Sequence, residues 1–169
     1  MILVTLAEGF EEIEALTPVD MLRRAGLPVK TVAIGKNPVT GSHGITVVAD
    51  MLADAVSLDE VEHLILPGGM PGSVNLDASA FVDACIARVL ARGGHVGAIC
   101  AAPLVLGRRG LLRGKRATCF PGFEGELVGA EIVKCEVVTD GNITTACGME
   151  AALPFAKELC AVLGGKYGN

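Results

Sequence analysis

The sequence contains no tryptophan, one tyrosine and five phenylalanines in 169 residues. Stacking platforms for nucleic-acid bases are therefore scarce. Positive charge is scarce as well: 14 Lys and Arg stand against 19 Asp and Glu, giving a net charge of −5 and a pI near 5.2. A protein that grips phosphate backbones carries the opposite balance. The one basic cluster, Arg108, Arg109, Arg113, Lys115 and Arg116, reads as a solvated loop after a helix. No apolar run is long enough to span a bilayer; the longest, Val96 to Gly107, is too short and holds Pro103. The opening MILVTLAEGFEE has no basic n-region and reaches Glu8 too early for a signal peptide. These absences point to a soluble, cytoplasmic protein with no nucleic-acid and no membrane partner. The six cysteines, Cys85, Cys100, Cys119, Cys135, Cys147 and Cys160, form no CxxC pair and no zinc-spaced cluster with histidine. No metal is implied, and in a reducing compartment they stay free thiols.

What is present is aliphatic. Hydrophobic residues make up 51% of the chain, and Ala, Val, Leu, Ile and Gly carry them. That mix suits a parallel sheet covered by helices, whose strands are apolar on both faces. The length fits one domain over residues 1–169, large enough to bury about 70% of its unfolded surface without disulfides or metal.

The pattern alternates. ILVTLAEGF is a strand ending at Glu8-Gly9. EEIEALTPVDMLRRAG is a helix with acids in its first turn, Arg23-Arg24 in its last, and Gly26 as its stop. Pro18 inside it predicts a kink or an irregular turn. VKTVAIG is a second strand, and two short strands flank Gly41-Ser42. VEHLILPGG is a strand ending in Pro67-Gly68-Gly69. Asp77 to Ala91 reads as one helix, HVGAIC as a strand stopping at Cys100, and PLVLG as the helix after it. KRATCFPG is a strand and turn, Asp140-Gly141 turns a hairpin, and MEAALPFAKELCAVLGG is the closing helix. Such alternation predicts an α/β three-layer sandwich with a mostly parallel central sheet and helices on both faces.

In such sheets ligands sit beyond the carboxyl ends of the strands. Three strands end unusually there, in Glu8-Gly9, in Pro67-Gly68-Gly69 and in Cys100. A cysteine at a strand–turn–helix junction has the geometry of a nucleophile elbow. The helix N-terminus after it offers free N–H groups and a field that lowers a thiol pKa. Gly68-Gly69 can add backbone donors for an oxyanion. The alternative is a buried structural cysteine at a strand end. Periodicity does not choose among Glu11, Glu12 and Glu14, because Ala15, Leu16, Val19, Met21 and Leu22 make their helix apolar on most sides. That breadth predicts burial or an interface, and an inward acid with a raised pKa. His63 and His95 begin strands, at the wrong end of the sheet. His43 lies in an exposed turn.

The segments AEGFEEIEALTPVDMLRRAG, LPGG, AICAAP and FPG, in this order and over nearly the whole chain, resemble the ThiJ/PfpI superfamily, in the branch of the parkinsonism-associated protein deglycase. The resemblance implies a flavodoxin-like sandwich, a homodimer and no cofactor. It implies that Cys100 is the reactive thiol, that Glu14 hydrogen-bonds its sulfur, and that Gly69 and Ala101 donate backbone N–H groups. The implied activities are a glutathione-independent glyoxalase or deglycase chemistry on small aldehydes or glycated substrates, oxidative-stress sensing, and chaperone behaviour. A thiazole-biosynthesis label also attaches to some members, but no P-loop is present here.

The departures from the family pattern are specific. Ala101 replaces the histidine of the protease-like branch, so peptidase activity is not expected. No histidine follows His95, as a glutamine amidotransferase would need. Phe120 stands where many glyoxalase-active relatives carry histidine, which removes a second acid–base group. His43 stands for an arginine and joins Arg24 as a pocket candidate, while CGMEAA replaces GPGT and makes Cys147 a second candidate thiol at the rim. The leading expectation is a cysteine-dependent enzyme acting on reactive dicarbonyls or their early adducts. The alternative is a non-catalytic oxidative-stress sensor or chaperone whose cysteine oxidises readily.

Overall fold

Five strands are too apolar to face water, and they form the centre of a seven-stranded sheet. In the computed structural model, which describes residues 1–165, these are β1 (Ile2–Leu6), β2 (Val29–Ala33), β6 (His63–Leu66), β7 (His95–Ile99) and β11 (Ile143–Ala146). The last four residues of the expected 1–169 domain lie outside the described range. Two shorter strands complete the sheet, β5 (Met51–Leu52) at one edge and β10 (Val137–Asp140) at the other. The order is β10-β11-β7-β6-β1-β2-β5, parallel throughout except for the β10–β11 hairpin. Two small pairs stand apart: β3 (Val39–Thr40) with β4 (Thr46–Val47), and β8 (Arg116–Ala117) with β9 (Glu131–Ile132).

Successive residues of a strand point to opposite faces, and here both faces are core. Leu3, Leu64, Leu66, Val96 and Ala98 pack on one side; Ile2, Val4, Ile65 and Ile99 pack on the other. The first side is covered by α3 (Ala80–Ala91) and α4 (Pro103–Arg108), the second by α1 (Glu12–Arg24) and α5 (Ala152–Val162). This is the flavodoxin-like three-layer sandwich. Gly97 of β7 lets α5 approach: a Cβ there would lie 3.0 Å from both Phe155 and Leu159.

Polar atoms inside the sheet are paired. Thr144 meets His95 Nε2 at 2.7 Å and Thr139 Oγ1 at 2.8 Å. Burial, with help from nearby His63, pushes His95 down to about 4, so it packs as a neutral ring.

Two local expectations are corrected. The helix expected over Asp77–Ala91 starts three residues later, as α3: Asp77 closes a separate short helix, α2 (Gly72–Asp77), and Ser79 starts α3 by accepting a hydrogen bond from Val82 N at 3.4 Å. Serine competes for its neighbours' backbone donors, which favours a cap over a helix interior. The irregular turn expected at Pro18 is also not seen. Pro18 is buried within the continuous α1, where packing on α5 and the sheet outweighs one missing N–H. The basic cluster is held by acids: Arg108 by Asp77 and Glu126, Arg109 by Asp77 and Asp83, and Lys115 by Asp140. No described helix is long and apolar enough to cross a membrane.

Candidate functional site

The strand order reverses between β1 and β6, because the chain lays β2 and β5 on one side of β1 and β6, β7 and β11 on the other. Loops leaving β1 and β6 must part there, which opens a crevice at their carboxyl ends. The loops at that rim are Ala7–Gly9, Pro67–Pro71 and, one strand over, Cys100–Ala102.

Cys100 has φ of 64°, the one non-glycine residue with positive φ among the described residues. A side chain in the left-handed region is strained and persists only when its surroundings fix it. The clamps are visible on both flanks. Cys100 N donates to Ala146 O at 2.9 Å, and Cys100 O accepts from Phe120 N at 2.8 Å. The sulfur receives the backbone N–H groups of Gly69 and Ala101 and hydrogen-bonds the Glu14 carboxyl.

Glu14 is 1% exposed, and its Oε2 accepts from Gly68 N at 3.0 Å. Its burial pushes the carboxyl up to about 7, against the pull of hydrogen bonds from Cys100 and Gly68. The charge of Glu11, one turn earlier, pushes in the same upward direction. The thiol expected to be lowered by the following helix is instead pushed up to about 12, by burial and then by the charge and hydrogen bond of Glu14. The α4 helix is only six residues long and starts at Pro103, so its field at the sulfur is outweighed. Only the Gly69 and Ala101 N–H groups pull downward. The pair shares a proton: when Glu14 is neutral, both of its upward pushes on the thiol vanish.

Glycine is required around this pair. A Cβ at Gly68 would lie 2.4 Å from Glu14 Oε2 and 2.6 Å from Cys100 Cβ. Gly69 has φ of 90°, and a Cβ there would lie 2.4 Å from Glu11 N.

The structure thus brings Cys100, Glu14, Gly68, Gly69 and Ala101 together. It does not bring Arg24 to them. Arg24 sits in the last turn of α1, exposed, and pairs with Asp20 at 2.7 Å. His43 lies at the rim but faces Glu11 and Glu12 rather than Cys100. Cys147 is half-buried and lines an open cleft of about 860 Å³ with Cys119, Cys135, Phe120, Ile132 and Met149. That cleft does not include Cys100 or Glu14; it adjoins the elbow through Phe120. Cys135 is exposed, and Cys100 and Cys147 are half-buried, while Cys85, Cys119 and Cys160 are buried. The Ser42–His43 turn against α1 was not legible as a cluster, since its partners are some thirty residues apart in sequence.

Comparison with known proteins gives the family of the chain. The sequence profile of the DJ-1/PfpI family matches residues 1–162. The chain is 35% identical over 167 residues to protein dj-1beta of Drosophila melanogaster, covering 97% of this chain and 89% of that one. It is 36% identical over 144 residues to a deglycase of Pyrococcus horikoshii, covering 83% and 86%. The crystal structure of Drosophila melanogaster DJ-1beta matches with a TM-score of 0.92 at 36% identity, over 98% of this chain and 90% of that one. Toxoplasma gondii DJ-1, solved in an oxidized form, matches with a TM-score of 0.90 at 36% identity, over 96% and 89%.

Proposed function

The chain belongs to the DJ-1/PfpI family, and from that premise we propose that it is a cysteine-dependent enzyme acting on reactive dicarbonyls or their early adducts. The observation that supports this most is the buried Glu14 carboxyl hydrogen-bonded to a thiol on a strained elbow, with two backbone N–H groups converging on the sulfur. The relative from Pyrococcus horikoshii is named a deglycase.

For methylglyoxal the steps are as follows. The reactive form is the minor one of the singly ionised pair, in which the thiol proton has passed to the Glu14 carboxylate and leaves the sulfur as thiolate and Glu14 neutral. The thiolate attacks the aldehyde carbon, a C–S bond forms, and the carbonyl electrons move to oxygen. The oxyanion is held by the Gly69 and Ala101 N–H groups, then takes the Glu14 proton to give a hemithioacetal. Glu14, now a carboxylate, removes the proton from that carbon to give an enediol and returns it to the neighbouring carbon, while the hydroxyl proton passes to the former ketone oxygen, converting the hemithioacetal to a thioester. Water then releases lactate and the thiol. No cofactor enters, and the substrate supplies both oxidised and reduced carbons.

The test is lactate formation from methylglyoxal without glutathione, with the wild type beside Cys100→Ala. Turnover in the wild type and none in the variant is expected. Equal rates in both proteins would overturn the assignment.

Phe120 supports a second reading, because its half-exposed ring occupies the position where a further acid–base group would stand. In that reading Cys100 is a stress sensor: peroxide oxidises it to sulfinate, and Glu14 hydrogen-bonds the product. The oxidized Toxoplasma gondii relative is consistent with it. Sulfinate at Cys100 after mild peroxide, with no lactate from any substrate concentration, selects the sensor.

We further propose that two copies pair through α1 to form a homodimer in the cytoplasm. Ile13 on α1 and Ile45 on the adjoining turn are both exposed, 44% and 54%, and flank Glu12, to which Ile45 N donates at 3.3 Å. Light scattering at micromolar concentration is expected to give twice the chain mass, and Ile13→Asp to give the monomer.

A further inference from the structure

We propose that Glu11, Glu12 and His43 form a binding site for one divalent first-row transition-metal ion at the rim of the sheet, beside the Glu14–Cys100 pair. The site joins the start of α1 to the turn between β3 and β4. His43 Nδ1 lies 3.1 Å from Glu12 Oε2 and 3.3 Å from Glu11 Oε1. The three ligand atoms are all within 4.8 Å of one another.

A single ring nitrogen carries at most one proton, so it cannot fully satisfy two carboxylates. No lysine or arginine pairs with Glu11 or Glu12 among the described residues. Even with His43 protonated, the three groups keep a net negative charge. A metal ion resolves this. With bonds of about 2.0–2.2 Å and angles between right and tetrahedral, neighbouring donors stand about 3.0–3.5 Å apart, as His43 Nδ1 does from each of the two carboxylates.

The site is built rather than incidental. The Glu12 side chain is only 7% exposed. Its Oε1 is fixed by His43 N at 2.8 Å and Ile45 N at 3.3 Å, which leaves Oε2 directed at the imidazole. Gly41 makes room for this carboxylate, since a Cβ there would lie 2.3 Å from Oε1. Ser42 Oγ, 3.0 Å from Glu11 Oε2 and 3.1 Å from Nδ1, adds a neutral oxygen at the edge. In the single chain His43 is exposed at the other side, so an ion can reach the site before two copies pair and water can complete its coordination.

Two carboxylates and one imidazole suit Mn²⁺, Fe²⁺ or Zn²⁺ better than the all-oxygen ions Ca²⁺ and Mg²⁺. Binding there is felt at the neighbouring pair, because Glu11 is a charge that faces Glu14. The inference does not depend on the dicarbonyl reading.

Mn²⁺ is the probe of choice, because it has little affinity for the six thiols. Titration followed by electron paramagnetic resonance is expected to show one Mn²⁺ bound per chain. His43→Ala, at an exposed position, and Glu11→Gln should each weaken binding at least tenfold. Cys100→Ala should bind as the wild type does, which separates this site from the elbow. Absence of Mn²⁺ binding up to millimolar concentration would overturn the proposal, as would unchanged affinity in His43→Ala.

Discussion

Glu14→Gln is expected to slow lactate formation by about 10²–10⁴-fold, the range for a lost acid–base group, while making Cys100 easier to alkylate at neutral pH. The two readouts move in opposite directions for one reason. The carboxylate charge and its hydrogen bond both hold the thiol up. Glutamine keeps the shape, accepts from Gly68 N, and donates to sulfur, but carries no charge and moves no proton. The thiol pKa therefore falls as turnover falls. Stability gives a third readout with its own sign. Glu14 is raised from 4.5 to about 7 by folding, so the folded state is favoured below pH 4.5, and that advantage is lost as pH rises to 7. Glutamine removes the dependence. Above pH 7 the variant should be more stable than the wild type by about 3 kcal/mol, the worth of a shift of this size. At pH 4 the two should agree. Denaturant melts at both pH values, with iodoacetamide kinetics mapped to the Cys100 peptide, check all three; turnover unchanged in the variant would end the shuttle role.

Gly68→Ala should lower turnover by about 10²-fold without abolishing the fold. The added carbon would lie 2.4 Å from Glu14 Oε2, 2.6 Å from Cys100 Cβ and 2.9 Å from Ile99 O. All three neighbours are fixed: Glu14 by burial, Cys100 by its clamped backbone, Ile99 by the sheet. The loop itself must retreat, and it carries the N–H groups of Gly68 and Gly69 away from carboxylate and sulfur. Displacement of about 1 Å costs about 10²-fold in an oriented site, and overpacking costs about 1–3 kcal/mol. Lactate formation and Tm measured together check this. A variant with wild-type turnover would show that these donors do not hold the reacting atoms.

Much of the architecture could be read before any coordinates, and the reasons are local. Strands such as Ile2–Leu6 and His95–Ile99 are apolar on both faces, so their parallel, buried setting followed from composition. Each stopped at glycine or cysteine, which marked the rim. The limits arose where distant contacts decide. Nothing in the periodicity of α1 separates Glu11, Glu12 and Glu14, because a helix packed on most sides gives no clean stripe. The choice is made by Gly68 N and by the sulfur, both far away in sequence. The direction of the thiol's pKa shift is decided by distant contacts as well. The strand-to-helix pattern implied a helpful dipole, whereas burial and a neighbouring carboxylate dominate. The break at Ala78 was written in Ser79, a capping residue read as part of a longer helix.

The strained backbone at Cys100 is held by Ala146 on one side and Phe120 on the other. A ribosome makes the chain from its N-terminus, so both members of the reactive pair emerge before either of these two holding residues. During synthesis the left-handed turn has nothing to maintain it, and the thiol relaxes to that of any cysteine in an open strand end. The turn is held on the Ala146 side only when β11 docks beside β7, among the last large contacts the chain can make. An unfinished or truncated polypeptide therefore carries Cys100 and Glu14 without the contacts that hold the elbow.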